Sequence, residues 1–284
     1  MKKGLWLPCV LMCTASSIAI AQSSPSNDGG GTGDANENNA QLAEKLSNPV
    51  AALISAPFQF NYDNSIGPDR DGHKNYLNIQ PVVPFQINDD WNMISRTILP
   101  VVSQSDIVPG SGSQHGIGDI SQSFFFSPRA PGANGWIWGI GPAMLIPTAS
   151  DPLLGSKKWG AGPTALVLRQ VSGWTYGLLV SQIWSFASVN GKDSDRPPVS
   201  SMALQPFAAL TTSTAWTYSA NFQSTYDWHA HEATLPLNLS VSKLTRIGRQ
   251  PISFGGGVRY WFESNDNGPH GWGYSLTVTL LFPQ

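Results

Sequence analysis

From about residue 50 onward, nearly every segment alternates apolar and polar residues with a period of two. In the cleanest stretch Trp216, Tyr218, Ala220, Phe222, Tyr226 and Trp228 share one parity, while Thr217, Ser219, Asn221, Gln223, Thr225 and Asp227 share the other. A helix repeats its faces every ~3.6 residues and cannot sort side chains this way, whereas successive strand side chains point to opposite sides of a sheet. The last segment repeats the pattern, with Trp272, Tyr274, Leu276, Val278, Leu280 and Phe282 alternating with Gly273, Ser275, Thr277 and Thr279. Long two-faced strands with aromatic ends point to an all-β fold, a transmembrane antiparallel up-and-down β-barrel.

Charge supports this reading. Asp, Glu, Lys and Arg make up 12% of the chain, about half of the ~25% usual for a soluble domain. After the first 21 residues no run approaches the ~18 apolar residues of a membrane helix. The 11 tryptophans suit strands that cross both membrane interfaces. A soluble β-sandwich also alternates, but it ordinarily carries charge on its wet face.

Residues 1–21 have the parts of a secretory signal peptide: Lys2 and Lys3, an apolar stretch from Leu5, and the small-residue site Ala19-Ile20-Ala21, with cleavage expected before Gln22. Cys9 and Cys13 both lie inside it, so no disulfide framework is expected. Met12 is a poor residue to precede a lipidated cysteine, which argues against a lipoprotein. Removing Lys2 and Lys3 leaves 14 basic against 18 acidic side chains, a formal charge of −4 and no footprint for nucleic acid.

Residues 22–48 read as a disordered to briefly helical periplasmic leader. Residues 22–39 lack core-forming side chains. Ala40 to Leu46 can make one or two helical turns before Asn48-Pro49 stops them, a frayed tail rather than a plug. The barrel, 49–284, divides into about twelve strand segments at 52–62, 75–87, 91–103, 116–127, 135–148, 159–170, 174–187, 198–210, 215–228, 234–245, 252–264 and 271–282. Short turns, such as Asn88-Asp89-Asp90 and Val171-Ser172-Gly173, alternate with longer loops at 63–74, 104–115, 149–158 and 188–197, as periplasmic turns alternate with external loops. Pro81, Pro84, Pro100, Pro142, Pro147, Pro163 and Pro206 fall inside strands, where each must coincide with a bulge or a broken ladder.

Several stretches resemble a large family of bacterial outer-membrane proteins described as transporters of the phenol-degradation meta-pathway type. They include NPVAALISAPFQ (48–59), LNIQPVVPFQINDDWNMISRTILPVV (77–102), KWGAGPTALVL (158–168), PLNLSVSKL (236–244) and LTVTLLFP (276–283). The resemblance covers about 48–284 and implies an outer-membrane barrel with a transport role and no defined enzyme activity. Many such barrels end on an aromatic residue, whereas this chain ends Phe282-Pro283-Gln284.

Parity places Arg96, Asp119, Arg169, Asp227, Arg259 and Glu263 opposite the apolar aromatics, so they are expected to line the lumen. Gln205, Asn221, Gln223 and Trp261, with Asn78 and Gln80, join them. Lys243 has outward parity but sits near a strand end, where it can snorkel. Such a lining could act as a charged constriction or as an internal network filling the lumen. The expected function is passive passage of small solutes, hydrophobic or aromatic ones among the candidates, through the outer membrane of a Gram-negative bacterium, without a cofactor or a metal. Outer-membrane lipid, the barrel-assembly machinery and an unidentified solute are the expected partners, and nucleic acid is not. The alternatives are a filled structural or surface-interaction barrel and, less favoured, an outer-membrane hydrolase. His229 and His231, after Asp227, have donors close enough for a chance metal pair. No G-x-S-x-G elbow is present, and Gly255-Gly256-Gly257 sits inside a strand rather than before a helix. Arg in place of Leu276 or Val278 should impair assembly, while Arg259→Ala should leave a folded barrel.

Overall fold

In the computed structural model, which describes residues 32–189 and 196–283, the alternation becomes a closed barrel of twelve antiparallel strands. They are β1 (Ile54–Ile66), β2 (Gly72–Ile79 and Val82–Gln86), β3 (Trp91–Ser105), β4 (Ser113–Ile117 and Ile120–Pro128), β5 (Trp136–Ile146) and β6 (Lys158–Val171). The second half comprises β7 (Trp174–Ser188), β8 (Ser200–Thr211), β9 (Trp216–Phe222 and Ser224–Asp227), β10 (Glu232–Ile247), β11 (Gln250–Glu263) and β12 (Gly271–Phe282). Each strand pairs with its neighbours in sequence. The wall closes where β12 meets β1, with Phe58 opposite Val278 and Phe60 opposite Leu276. Closure gives every wall strand two partners, which a lipid environment demands of backbone polar groups.

Turn chemistry sets the two ends. At one end the connections are short. The Asn88 side-chain oxygen accepts from the Asp90 and Trp91 amides, and Ser172 and Gly173 both take positive φ in a two-residue hairpin between Val171 and Trp174. The other end carries the longer loops, at 67–71, 106–112, 147–157 and 264–270.

Several prolines interrupt the ladder. Between the two pieces of β2 the Gln80 amide donates to the Pro57 carbonyl and the Thr97 amide to that of Pro81. The break in β4 faces Pro100, whose carbonyl accepts from the Gly118 amide. Pro142 and Pro163 face each other as cross-strand partners, which confines two missing donors to one place. The break in β9 falls at Gln223, whose amide donates to Pro236, where β10 shifts register. Pro206, by contrast, sits within continuous pairing opposite Leu178.

The outer face forms an apolar band between two aromatic belts. Trp91, Trp136, Trp138, Trp174 and Trp216 gather toward the short-turn end, with edge contacts between Trp91 and Trp138 and between Trp136 and Tyr176. Trp159, Trp184, Trp228, Tyr260 and Trp272 gather toward the long-loop end. Trp174 and Trp184 lie on one face of β7. Ten residues at about 3.3 Å each, tilted by about 40°, separate them by about 25 Å, the height of an outer-membrane band. Lys243 snorkels as its position suggests, lying over the Trp216 ring and donating to the Thr214 carbonyl.

The chain before the barrel differs from a frayed tail. A helix, α1 (Thr32–Leu46), runs well beyond the expected turns at 40–46. Leu42, Ala43 and Leu46 are buried against Ala51, Leu53, Ala215, Leu244 and Leu281 at the short-turn end. The Gln170 amide donates to the Glu44 carbonyl, and Arg246 donates to the Asn39 side chain. From α1 the chain runs into the lumen, where Ser47 to Ala51 are all buried. The expected signal peptide and residues 22–31 lie outside the described residues.

Candidate functional site: the lumen

Inward parity carries three different environments into the lumen. Toward the short-turn end, Ile94, Phe125, Ile137, Leu166, Leu168, Leu179 and Phe207 converge on Val50 of the N-terminal segment. These side chains come from β3 to β8 and fill that half with apolar packing. The wall of β9 to β12 is different. Ser219, Ser240, Gly257 and Ser275 lie side by side in register, with Ser242, Gly255 and Thr277 beneath them. Small hydroxyl and glycine residues leave room, and the lumen-facing Ser240 remains exposed.

The third environment is a buried polar network nearer the long-loop end. Arg259 on β11 reaches across β12 to Asp63 on β1, with N–O distances of 3.1 and 3.2 Å. Gly273 is the residue it crosses. A Cβ there would lie 2.3 Å from Asp63 Oδ1, so only a glycine lets this ion pair form. The guanidinium also donates to Tyr76 (2.6 Å), Asn61 (3.1 Å) and Asn238 (2.7 Å). Tyr76 and the Trp261 indole both donate to Asp63, and Asn238 donates to Asn221. Arg259 is 3% exposed and Asp63 is wholly buried. A charge so enclosed is tolerated only with this density of partners.

The remaining expected lining residues scatter. Arg96 and Gln205 are buried on the inner face of the packed half, each with partners. Asp119, at the β4 break, accepts from the Ala149 and Ser156 amides and the Ser156 hydroxyl, tying the 147–157 loop to the wall. Gln223 marks the break in β9. Asp227 caps the following turn by accepting from the His229 and Ala230 amides, and Glu263 is exposed at the rim. Arg169 departs from expectation. It pairs with Trp136 and Tyr176 and shares a face with exposed Val167, so it lies on the outer face among the short-turn aromatics. The inner face of β6 is itself apolar, with Leu166 and Leu168 packed in the cluster around Val50, so reading the apolar parity of this strand as lipid-facing inverts its two faces.

Asp63 and Tyr76, central to the network, escape a reading that ends the first strand at Tyr62 and treats aromatics as outward. Tyr76 nonetheless shares parity with Asn78 and Gln80, and that signal was present in the sequence. Among the described residues no group of three metal-ligating side chains converges, so His229 and His231 form no such centre. Ser103 and His115 are cross-strand partners on the outer face. No hydrogen bond joins them among the described residues. Ser103 lies between His115 and Asn75, so the amide that could orient the imidazole is on the wrong side.

No family model matches the sequence, and no curated protein does. Among solved structures, the chain is similar to an outer-membrane channel from Pseudomonas putida F1, with a TM-score of 0.63 at 16% identity over 81% of this chain and 96% of that one. The NanC porin (TM-score 0.48, 10% identity, 81% of this chain and all of that one) and the outer-membrane phospholipase A of Escherichia coli (0.48, 9%, 81% and 96%) follow. The first establishes a shared outer-membrane-type barrel fold, while the lower scores decide nothing about activity.

Proposed function

We propose that this barrel is an outer-membrane channel that passes small solutes passively, and that its N-terminal segment closes the periplasmic mouth until it moves aside. The observation that carries this reading is the asymmetry of the lumen. Hydroxyl and glycine residues keep the β9–β12 wall accessible, and below it Leu42, Leu46 and Leu53 from the N-terminal segment meet Leu244 and Leu281. The belts and the closed sheet support the location, the outer membrane of a Gram-negative bacterium, reached behind a cleaved signal peptide and by way of the assembly machinery. Resemblance along the strands to transporters of the phenol-degradation meta-pathway type favours hydrophobic or aromatic solutes.

The apolar cluster around Val50 favours a second reading, a filled barrel with a structural or surface role. Planar-bilayer recordings separate the two. Stable conductance steps from protein whose folding is verified by heat-shifted gel migration support the channel. Silence from the same preparation, and from a Leu42→Asp/Leu46→Asp variant that should undock α1, supports the filled barrel.

A further inference from the structure

The outward face of β6 leaves a charge on the membrane side of the barrel. Arg169 stands between Trp136 of β5 and Tyr176 of β7 in one cross-strand row, two residues from the hairpin that closes at Val171 and Trp174. At about 3.3 Å per residue and a tilt of about 40°, that row lies about 5 Å inside the short-turn rim, the level of lipid headgroups rather than of mid-membrane hydrocarbon. Neighbouring strands are about 4.8 Å apart, which puts the backbones of β5 and β7 about 10 Å apart. The Trp136 and Tyr176 rings nonetheless approach to 6.4 Å between centroids, edge to face, so both lean in over β6 and leave the Arg169 side chain half-buried.

Among the described residues Arg169 makes no hydrogen bond and no ion pair, and the Trp136 indole N–H and the Tyr176 hydroxyl have no acceptor either. Other cations at the same end are held by protein: Lys243 donates to the Thr214 carbonyl, Arg129 to that of Asp89 and Arg246 to the Asn39 side chain. Glu44 meets β6 from the inner side, where Gln170 donates to its carbonyl, on the opposite face from Arg169. Three donors without acceptors in one row suit an anion with several oxygens, and a guanidinium fork matches a phosphate. The next row toward the membrane centre, Trp138, Val167 and Leu178, is wholly apolar, so an anion bound here meets hydrocarbon on that side.

We propose that Trp136, Arg169 and Tyr176 form a binding site for an anionic phospholipid of the periplasmic leaflet, with the phosphodiester on the Arg169 guanidinium and an acyl chain over Val167 and Leu178. A zwitterionic lipid carries its own ammonium beside the phosphate and gains less from the same cation. One basic side chain at a membrane surface is worth about a fivefold preference for anionic lipid. The site goes beyond the channel reading and takes from it only the outer-membrane location: a conducting barrel and a filled one would hold the lipid alike.

The test uses protein purified in detergent from the membranes of an expressing Gram-negative host, with native mass spectrometry reading the first lipid retained. Dimyristoyl phosphatidylglycerol and dimyristoyl phosphatidylcholine are titrated separately. The expected result is a preference of about fivefold for phosphatidylglycerol, brought near unity by Arg169→Gln and kept by Arg129→Gln, whose side chain lies at the same end but has a protein acceptor. Arg169→Lys should retain part of the preference, and unchanged heat-shifted migration shows that each variant is folded. Excess inorganic phosphate should leave the bound lipid in place; release by phosphate would assign the row to a free anion and overturn the lipid site. Equal retention of the two lipids by wild type, an undiminished preference in Arg169→Gln, or a lipid-free dimer that Arg169→Gln dissociates would also overturn it.

Discussion

The ion pair across Gly273 makes a quantitative claim about stability. Arg259→Met removes the partner of a carboxylate that is wholly buried, and stranding one charge of a buried pair costs about 3–5 kcal/mol. Asp63→Asn is milder, because Arg259 keeps Tyr76, Asn61 and Asn238 as acceptors. The double variant removes both charges, and its loss should fall well below the sum of the two singles. A coupling of about 1–3 kcal/mol is expected from groups in one hydrogen-bonded network. Urea unfolding of barrels in lipid vesicles, followed by tryptophan fluorescence, measures all four corners of the cycle. The expectation from sequence that Arg259→Ala leaves a folded barrel gains a magnitude here: the barrel assembles but is weakened. Additive losses, with coupling near zero, would show that the two side chains do not meet and that the inner-face assignment of β11 and β1 fails.

Leu276→Arg, aimed from β12 into the lipid band, should destabilise the barrel by about 2–4 kcal/mol in the same assay. Gly273→Val should weaken the barrel and abolish the coupling between Asp63 and Arg259, because its side chain would occupy the carboxylate's place. Burial holds the Glu44 carboxyl above its ordinary value, against a hydrogen bond from the Gly173 backbone that lowers it. The docked helix therefore keeps this proton to higher pH than the undocked one, so docking is favoured at acid pH and weakens as pH rises through that interval. Channel opening should increase as pH rises above the ordinary glutamate value of about 4.3, and Glu44→Gln should flatten the dependence.

Period-two alternation was enough to read twelve strands, because each faces lipid on one side and every residue must choose a face. The strand limits agree with the structure to within a few residues, and the in-strand prolines were legible as ladder breaks at Pro81 and Pro100. Parity groups Arg259, Trp261 and Asn221 on the side where Arg259 and Trp261 are buried and Asn221 joins their hydrogen-bond network through Asn238. It does not separate the faces of β6, where the lumen side is apolar: Leu166 and Leu168 point inward and Arg169 outward. The partners of Arg259 were not legible, since Asp63 lies 196 residues away and meets it only because the barrel closes. The fate of α1 was hidden for a related reason. Leu42, Ala43 and Leu46 make a short apolar face whose burial depends on Leu244 and Leu281, far along the chain.

The most direct test of the gated channel uses the 3.5 Å approach between the hydroxyls of Ser47 and Thr211, in a chain whose cysteines both lie in the first 21 residues. Ser47→Cys/Thr211→Cys, oxidised, should pin the N-terminal segment in the mouth. Bilayer conductance should fall on oxidation and return on reduction, with the single-cysteine proteins unaffected. Identical conductance in the oxidised and reduced states, with the disulfide verified, would contradict the account, because solute would then pass without the segment moving.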